Sequence, residues 1–474
     1  MSIAAGPNVP VHRFLAGWVE AESTFGVPPT DYPPSAPLRL LSARVSGDHP
    51  TQERTDAHAT GTAQTPIPGK RSGSATLEAY LMPPGTSGTD PQLAAVLAAG
   101  LRKVNHSGNL TVSGSGSSTT QIDVTDASAV TVGLPIMHNG YVAFVISVDT
   151  GATPDNITVD PPLPAAPADT ETVYTGVGWW ADDSRDTGGE CRSLAGWFAS
   201  NRILSRVAGW IPESIQCSFG GDGAAKLTAE GRARSTFDLL KMSLGATLSA
   251  GALTATVDNA HGVPPCVQAA ADRDGSPLYF EIIDSSNGNE IVRVTGKPSD
   301  TTLTIVRAQL STSDVDHASG SVIVPYTPAA SSDDDIPPPS TAGYMVTENL
   351  AGARVELQLE TAQVTIGLGI NARENEAGDD FVLNGASMAT REISFSAQGW
   401  GHDATMARMS LAQGRAQLPL LLQQGVTPGA VCGAWSPRVL LTHPERDYGS
   451  EEMRVSLDGR AYGGTQDEFC LFTI

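Results

Sequence analysis

The sequence feature that most constrains the fold is one hairpin pattern that occurs twice. Residues 142–163 read VAFVISVDTGATPDNITVDPPL, and residues 290–310 read EIVRVTGKPSDTTLTIVRAQL. Each stretch has an alternating strand, a turn rich in Gly and Pro, and a second alternating strand, which is the pattern of a β-hairpin. A pattern that returns in one chain predicts two copies of a small β domain.

Similar segments precede the two hairpins, so the repeated unit is longer than the hairpin itself. The first is preceded by TTQIDVTDASAVTVGLP and the second by ALTATVDNAHGVPP. In both, an alternating strand ends in Asp and runs into a stretch with Val, Gly and Pro. We predict the first unit at 104–175 and the second at 246–326. The Pro- and Asp-rich segment at 327–340 has the composition of a linker.

The remaining sequence predicts a base fold that also occurs twice. Residues 1–103 are assigned to an N-terminal arm and the first part of one base domain, residues 176–245 to the rest of it, and residues 341–474 to a second base domain. Each half contains alternating strands and a short helix. We therefore predict a mainly β chain with a few short helices, built from two base domains of sandwich or barrel type and two inserted small β domains.

The clearest helix signal is the segment TDPQLAAVLAAGLRKV. Asp90 is placed to cap the helix, and Pro91 suits its first position because the missing N–H has no partner there. An apolar stripe at helical spacing predicts one buried face, formed by Leu93, Val96, Leu97 and Leu101. A second helix is predicted at DATMARMSLAQG, residues 403–414.

Several stretches predict strands. In GSATLEAYLMPPG, Leu77, Ala79 and Leu81 lie on one face of an alternating strand. A strand, a GGDG turn and another strand follow one another in GWIPESIQCSFGGDGAAKLTAEGRARS, which is a strong hairpin signal because Gly supplies positive φ. Residues 1–72 predict an extended arm or long loop with one strand near LRLLSARV. Six further strands are predicted after residue 341: ARVELQLE, AQVTIGLGI, REISFSAQGW, QLPLLLQQG, EMRVSLDGRAY and EFCLFTI.

Composition narrows the classes of protein that this chain can belong to. The 474 residues carry a net charge of −22, with five lysines among 29 basic residues. Such an acidic surface disfavours a protein that grasps DNA or anionic lipid. The five cysteines are scattered and lack C-x-x-C spacing, which indicates reduced thiols and folding in a cytoplasm. No 18-residue apolar run and no signal-like N-terminus appear, so we expect neither a membrane span nor secretion.

The candidate metal and phosphate sites fail on spacing. The acidic cluster at 333–335 abuts three prolines, and the cluster at 374–380 lacks the loop spacing of a calcium motif, so both predict solvated loops. DRDGSPLYFE begins like a calcium loop, but Ser276 and Pro277 break the match. In GGDGAAK, Leu227 stands where a phosphate loop needs Ser or Thr. We therefore predict no metal and no cofactor.

No catalytic constellation is evident either. The nine histidines never fall at ligand spacing, and no G-x-S-x-G elbow is present, although a triad assembled from distant segments stays open. The Trp179–Trp180 pair could form a platform for a sugar ring, but packing in a core or at a subunit interface is the favoured interpretation. We predict a protein that is not an enzyme.

Three stretches resemble the tail tube proteins of long-tailed bacteriophages. Residues 73–101 resemble that family's strand, flexible loop and short helix, and residues 208–233 resemble the paired strands of its tube wall. The C-terminal VSLDGRAYGGTQDEFCLFTI, residues 455–474, is similar to its closing strands. In addition, NEIVRVTG, TLTIVRAQL and HASGSVIV together resemble a small β module of phage tail and other virion proteins. The length, the inserts and the duplication depart from the simple family pattern.

The resemblance implies a structural virion protein with tube-type β-sandwich or barrel domains. It implies rings that stack into the conduit for the DNA genome, and a chain with two copies of the fold is expected to form trimers. Neighbouring tail proteins (the terminator, the tip and the tape measure) are the implied partners. DNA would pass without specific binding, because an acidic wall repels phosphates. Assembly in the host cytoplasm and localisation in the virion tail follow from the same resemblance.

Two alternatives stay open at this point. A tail-tip or hub subunit shares the tube fold and differs in copy number, which no single sequence reports. A surface-displayed protein that binds carbohydrate through its β modules is the rival from another class.

Overall fold

The structure is a computed structural model, and it describes residues 16–29, 37–48, 50–53, 66–181, 192–200, 203–220, 223–263, 278–327, 343–348, 354–357, 360–377, 381–400, 417–442, 446–447, 454–463 and 468–474. The second predicted helix, at 403–414, and residues 328–340 of the predicted linker at 327–340 lie outside these residues. In the described part, the chain is mainly β with one α-helix and one 3₁₀ turn, as the sequence predicts.

The elements are given in chain order. The first part of the chain contains β1 (Ala16–Ala21), β2 (Leu40–Asp48), β3 (Thr51–Gln52), β4 (Ile67–Pro68), β5 (Ser72–Tyr80), α1 (Ala94–Gly100), β6 (Arg102–Asn105), β7 (Leu110–Thr111), β8 (Gln121–Val124), β9 (Pro135–His138), β10 (Tyr141–Asp149), β11 (Asp155–Asp160), β12 (Thr172–Thr175), β13 (Val177–Trp180), β14 (Leu194–Ser200), β15 (Ile203–Gly220), β16 (Gly223–Ala233) and β17 (Ser235–Leu240). The second part contains β18 (Met242–Ser243), β19 (Thr254–Thr256), a 3₁₀ turn (Ala260–Gly262), β20 (Leu278–Ile283), β21 (Glu290–Ser299), β22 (Thr302–Val306), β23 (Val322–Pro325), β24 (Gly343–Glu348), β25 (Arg354–Leu357), β26 (Thr361–Gly367), β27 (Ile370–Glu374), β28 (Leu383–Met388), β29 (Glu392–Trp400), β30 (Gln417–Gln424), β31 (Cys432–Leu441), β32 (Arg446–Asp447), β33 (Arg454–Ala461) and β34 (Cys470–Thr473).

Two six-stranded sheets are separate from the largest sheet and share one topology. The first has the order β7-β12-β9-β10-β11-β8, and the second has the order β18-β23-β20-β21-β22-β19. When the strands of each set are numbered along the chain, both orders read 1-6-3-4-5-2. We call these sheets the first and second small domains. The second begins at Met242, before the predicted start at 246, because the short β18 pairs with β23.

The two hairpins that first signalled the repeat lie at the centre of these small domains. β10 pairs with β11, and β21 pairs with β22. On β11, Ile157 and Val159 are buried; on β22, Leu303 and Ile305 are buried. Because side chains alternate along a strand, each pair faces one way and contributes to the core of its domain.

The largest sheet contains a second duplication. Six antiparallel pairings in the first part of the chain are β1–β14, β2–β5, β5–β16, β14–β15, β15–β16 and β15–β17. Six pairings in the last part repeat them in the same order: β24–β30, β26–β29, β29–β33, β30–β31, β31–β33 and β31–β34. We call β1, β2, β5 and β14–β17 the first repeat, and β24, β26, β29–β31, β33 and β34 the second repeat.

The two repeats are joined by one strand pairing. β15 has 18 residues, and its last seven pair with β26 from Ser214 opposite Gly367 to Gly220 opposite Thr361. This joint produces a continuous antiparallel sheet with the order β2-β5-β16-β15-β26-β29-β33, which we call the spanning sheet. One face of the spanning sheet packs against a single apolar core that contains residues of both repeats.

Each repeat carries one small domain against equivalent strands. The core of the second small domain is continuous with Trp197 of β14, Leu204 of β15 and Leu239 of β17. The core of the first small domain is continuous with side chains of β30, β31 and β34, the counterparts of those three strands. Gln423 of β30 fixes this contact further, since its side chain accepts a hydrogen bond from Val142 N–H and donates one to Gly140 O.

Helix α1 begins later than the sequence predicts. Its apolar stripe is buried as predicted, with Leu93, Val96, Leu97 and Leu101 each at most 2% exposed. Asp90, however, does not cap it: the helix starts at Ala94, and the Asp90 carboxylate instead forms an ion pair with Lys103 at 2.6 Å. A charged partner across the loop therefore replaces the predicted contact with the helix N–H groups.

The described part of the N-terminal region contains more strands than the one that the sequence predicts. The strand predicted near LRLLSARV is β2, but β1 also forms and pairs with β14 along its whole length. Trp18 of β1 is buried in the core of the second small domain. The short segment AGWVEA lacks strict alternation, so its partner strand decides its structure.

Candidate functional site: a polar sheet face and two unpaired strand edges

The outer face of the spanning sheet is made of hydroxyl and amide side chains at its centre. On β15, Ile215 and Cys217 face the core, while the alternate residues Gln216 and Ser218 face outward. Residues directly opposite one another across β15, β26 and β29 form rows: Gln216, Thr365 and Ser394 form one, and Ser218, Gln363 and Ser396 form the next. Neither row contains a charge.

Charges appear toward the margins of this face and are close to balanced. Its outward positions carry five acidic and four basic side chains: Asp48, Glu78, Glu230, Glu392 and Asp458, and Arg44, Lys226, Arg232 and Arg460. Three of the four basic groups contact carboxylates: Lys226 lies 4.0 Å from Glu78, Arg460 lies 2.9 Å from Glu392, and Arg232 contacts Glu213 and Glu374. The surface thus offers few unpaired cations, and its small excess of charge is acidic.

The strongly negative net charge lies elsewhere in the chain. Residues 104–175 contain seven acidic residues and no lysine or arginine, and residues 246–326 contain nine acidic and four basic residues. Three more aspartates stand at 333–335. The acidic character expected for a conduit wall is therefore concentrated in and beside the small domains, and the outer face of the spanning sheet does not carry it.

The spanning sheet ends in strands that lack a partner on one side. At one end, β2 pairs only with β5 among the described strands; at the other, β33 pairs with the short β32, which pairs with no other described strand. β32 continues the course of β31 beside β33. An unpaired edge exposes backbone N–H and C=O groups that can accept another strand. Each end of the spanning sheet is thus a potential pairing surface.

A buried ion cluster in the second small domain was not predicted from the sequence. Glu290 is fully buried, and its carboxylate accepts two hydrogen bonds from the Arg307 guanidinium and one from the Ala308 N–H. His317 Nε2 lies 3.0 Å from the same carboxylate. The three residues occur within the stretches NEIVRVTG, TLTIVRAQL and HASGSVIV, and a charged residue between apolar strand positions was the available signal.

The physical role of this cluster is to close the loop after β22. Burial acts to raise the pKa of Glu290, but the hydrogen bonds from Arg307, Ala308 and His317 outweigh burial, and the pKa is lowered. Arg307 also donates to the Ser249 and Val315 carbonyls. The first small domain has no lysine or arginine between 104 and 175 and cannot contain the same pair. The cluster is therefore a structural device of one domain.

The acidic candidate clusters do not form a site in the described residues. Glu374 contacts Arg232, and Glu376 forms an ion pair with Arg373. Asp333–335, Asp379, Asp380 and the DRDG segment lie outside the residues that the structure describes. Of GGDGAAK, Gly223 accepts a hydrogen bond from Gln424 at the β15–β16 hairpin, whose formation the sequence predicts correctly.

The Trp179–Trp180 pair is part of the core. Trp179 is 1% exposed and Trp180 is 5% exposed, and the Trp180 ring lies edge-on to both Phe144 and Trp435. The Trp180 indole N–H donates to Gly133 O. Neither ring presents a face to solvent, which confirms core packing and removes the sugar platform as a use of this pair.

The described cysteines are buried thiols. Cys217, Cys432 and Cys470 are free and fully buried, and burial raises the pKa of each thiol, for Cys432 to about 12. Such thiols are poor nucleophiles because the thiolate is strongly disfavoured. Cys191 and Cys266 fall outside the described residues.

In the part of the chain that the structure covers, no three His, Cys, Asp or Glu side chains are arranged to hold a metal ion. None of the described helices has the length and apolar character of a membrane span. No protein family matches this sequence, and no curated protein matches it.

Proposed function

We propose that this chain is a structural subunit of a phage tail tube and that its rings stack into the conduit for the DNA genome. The observation that carries the proposal is the repeat: one chain contains the same sheet topology twice, and the copies are joined edge to edge into one polar sheet. A unit that pairs with a copy of itself through strand edges is what a closed wall of identical parts requires.

The trimer follows from the number of repeats per chain. Tube proteins of the simple kind, which the sequence resembles, form six-membered rings from single domains. Three chains with two repeats each would supply six repeats and give a wall with pseudo-sixfold symmetry. In this arrangement the small domains decorate the outside, where neighbouring rings and the terminator, tip and tape-measure proteins are the expected partners.

The chemistry of the polar face suits a conduit for DNA. Cations that contact phosphates release counterions and bind the duplex, so a wall that must let DNA slide should offer few unpaired cations. Hydroxyl and amide side chains at the centre, with paired charges at the margins, meet this condition. Repulsion by an acidic wall, the expectation from net charge, is not needed for passage.

Electron microscopy of the purified full-length chain tests the proposal. We expect hollow rings or rods in negative stain and a mass of three 49.2 kDa chains per ring. Rings of six chains would overturn the trimer. A chain that stays monomeric at high concentration, in the absence and presence of salts that promote assembly, would overturn the tube.

A further inference from the structure

A short sequence match aligns the two repeats residue by residue. β16 contains Glu230-Gly231-Arg232-Ala233, and β33 contains Asp458-Gly459-Arg460-Ala461. The partner strands agree with the match, since Glu230 pairs with Thr76 of β5 and Asp458 pairs with Ser396 of β29. The alignment therefore rests on both sequence and strand register.

The alignment identifies β32 as the counterpart of the joining segment of β15. Lys226 and Arg454 each precede their Gly-Arg-Ala sequence by the same number of residues. Lys226 pairs with Ser218, and Arg454 pairs with Asp447. Ser218 is followed by Phe-Gly and Asp447 by Tyr-Gly, so the local sequence agrees as well. Asp447 thus occupies in the second repeat the register position of Ser218 in the first.

The same alignment identifies β2 as the counterpart of β26. Ser396 of β29 pairs with Gln363 of β26, and its counterpart Thr76 of β5 pairs with Arg44 of β2. Arg44 therefore corresponds to Gln363. In the joint between the repeats, Gln363 lies directly opposite Ser218.

These equivalences leave one strand partner missing at each end of the sheet. β15 has β26 on one side at Ser214–Gly220, whereas β32 has no described strand on that side. β26 has β15 on one side, whereas β2 has no described strand on that side. β2 corresponds to β26, which pairs with β15, and β32 corresponds to β15, which pairs with β26. The two open edges are therefore related to each other as the two strands of the internal joint are.

We propose that β2 of one chain pairs antiparallel with β32 of the next, in the register that sets Arg44 opposite Asp447. The partner is a second copy of this chain, and the contact repeats the internal β15–β26 joint between chains; the inference rests on the proposed ring. Opposite charges directly across an antiparallel pair favour this register over its neighbours. The contact is head-to-tail. It closes a ring when the rotation that relates one repeat to the next is a whole fraction of a full turn.

Disulfide trapping tests the register. The double variant Arg44→Cys/Asp447→Cys places two thiols directly opposite each other across the proposed joint, within reach of a disulfide. After oxidation, a non-reducing denaturing gel should show chains linked up to a closed trimer. The internal pair Gln363→Cys/Ser218→Cys is the matched control, because it should cross-link within one chain and leave the mass unchanged. The oxidised parent chain controls for the native cysteines.

The outcomes separate this inference from the tube proposal. Rings seen by microscopy without cross-linking of Arg44→Cys/Asp447→Cys would overturn the joint and leave the tube. Stronger cross-linking of Ser46→Cys/Asp447→Cys would overturn the proposed register. An open ladder of linked chains that never closes would support the joint and count against the ring. Absence of both rings and cross-links would overturn both.

Charge reversal provides a test that needs no oxidation. Arg44→Asp alone sets two carboxylates opposite each other and should reduce assembly at least tenfold, as measured by sedimentation. Arg44→Asp/Asp447→Arg restores opposite charges and should recover most of that loss. Lys241→Asp, the same change of charge at an exposed position outside β2 and β32, should leave assembly unchanged. Failure of the swapped pair to recover assembly would contradict the proposed register.

Discussion

The second small domain depends on a charge that cannot reach solvent. Replacing Arg307 with Met removes the guanidinium that holds Glu290, whose side chain is 0% exposed, and leaves a buried carboxylate without its cation. Breaking one partner of a buried ion pair costs about 3–5 kcal/mol. We expect Arg307→Met to destabilise this domain by that order, measured as faster hydrogen exchange and earlier urea unfolding of residues 278–325.

An exposed ion pair provides the matched comparison. Arg460 and Glu392 lie 2.9 Å apart with both side chains 60% exposed. Such pairs contribute about 0–1 kcal/mol, so Arg460→Met should change the free energy of unfolding only slightly. Equal losses in the two variants would show that the buried cluster has no special structural role.

Asp284 links the stability of the same domain to acid. Hydrogen bonds from the backbone N–H groups of Ser286 and Ala318 lower its pKa from 3.8 to about 2. Because the folded pKa is depressed, the contribution to stability is complete above pH 4 and is lost as the pH falls toward 2. The domain should therefore unfold more easily over that range, and Asp284→Asn should flatten this part of the pH profile of urea unfolding. An unchanged profile would exclude Asp284 as the titrating group.

At the scale of elements, both repeats need a glycine at the same strand position. A Cβ on Gly231 of β16 would lie 2.0 Å from Ile211 O, and one on Gly459 of β33 would lie 2.6 Å from Val439 Cγ1. Overpacking of this kind costs about 1–3 kcal/mol. Gly231→Ala and Gly459→Ala should each lower the melting temperature, and the first more, because its close contact is rigid backbone.

A glycine nearby controls for the substitution itself. Gly223 begins β16, and a Cβ there would meet no atom within 4 Å. Gly223→Ala should leave the melting temperature within error or raise it slightly, since it restricts the unfolded chain. A loss as large as that of Gly231→Ala would contradict the steric explanation.

Local patterns in the sequence predict most of these elements but not how they pair. Alternation identifies β5, β26, β29 and β33, and the apolar stripe identifies α1, because burial of one face is a local property of the sequence. The boundary of α1 was wrong because Asp90 has a better partner in Lys103 than the helix N–H groups. Strand β1 was missed because β14 and the core around Trp18 determine it.

The candidate site was less predictable than the fold. The net charge suggested an acidic wall. Net charge, however, is a total over all residues, and where the acidic side chains lie depends on how the strands pair. The four-residue match between β16 and β33 is too short to be informative alone. The match becomes informative because the strands that pair with β16 and β33 align the two repeats in the same way.

At the scale of the whole molecule, the two duplications are coupled. Each repeat presents the same three strands to one small domain: β14, β15 and β17 to the second, and β30, β31 and β34 to the first. The small domains themselves share one topology. The chain therefore contains two equivalent halves, each with a sheet segment and an attached domain, although the chain enters the two small domains at different points. This equivalence is the basis of the proposed contact between chains, which copies the internal joint.

The polar face leads to a prediction for the proposed tube. Gln216, Thr365 and Ser394 lie side by side on β15, β26 and β29, so replacing all three with Lys would place nine cations on the wall of a trimeric ring. Wild-type rods should release linear double-stranded DNA at low salt, and lysine rods should retain it. Retention should fall with salt at a log–log slope of about −0.9 for each phosphate contacted.

Glutamate at the same three positions separates charge from crowding, because it has similar bulk and the opposite sign. The glutamate rods should release DNA as the wild type does. Retention by both variants would indicate that side-chain size controls passage. Retention by wild-type rods at low salt would show that the outer face of the spanning sheet is not an inert wall. Release of DNA by the wild-type, lysine and glutamate rods alike would show that this face does not contact the DNA. Three added cations per chain along the path of a duplex must strengthen the binding of that duplex.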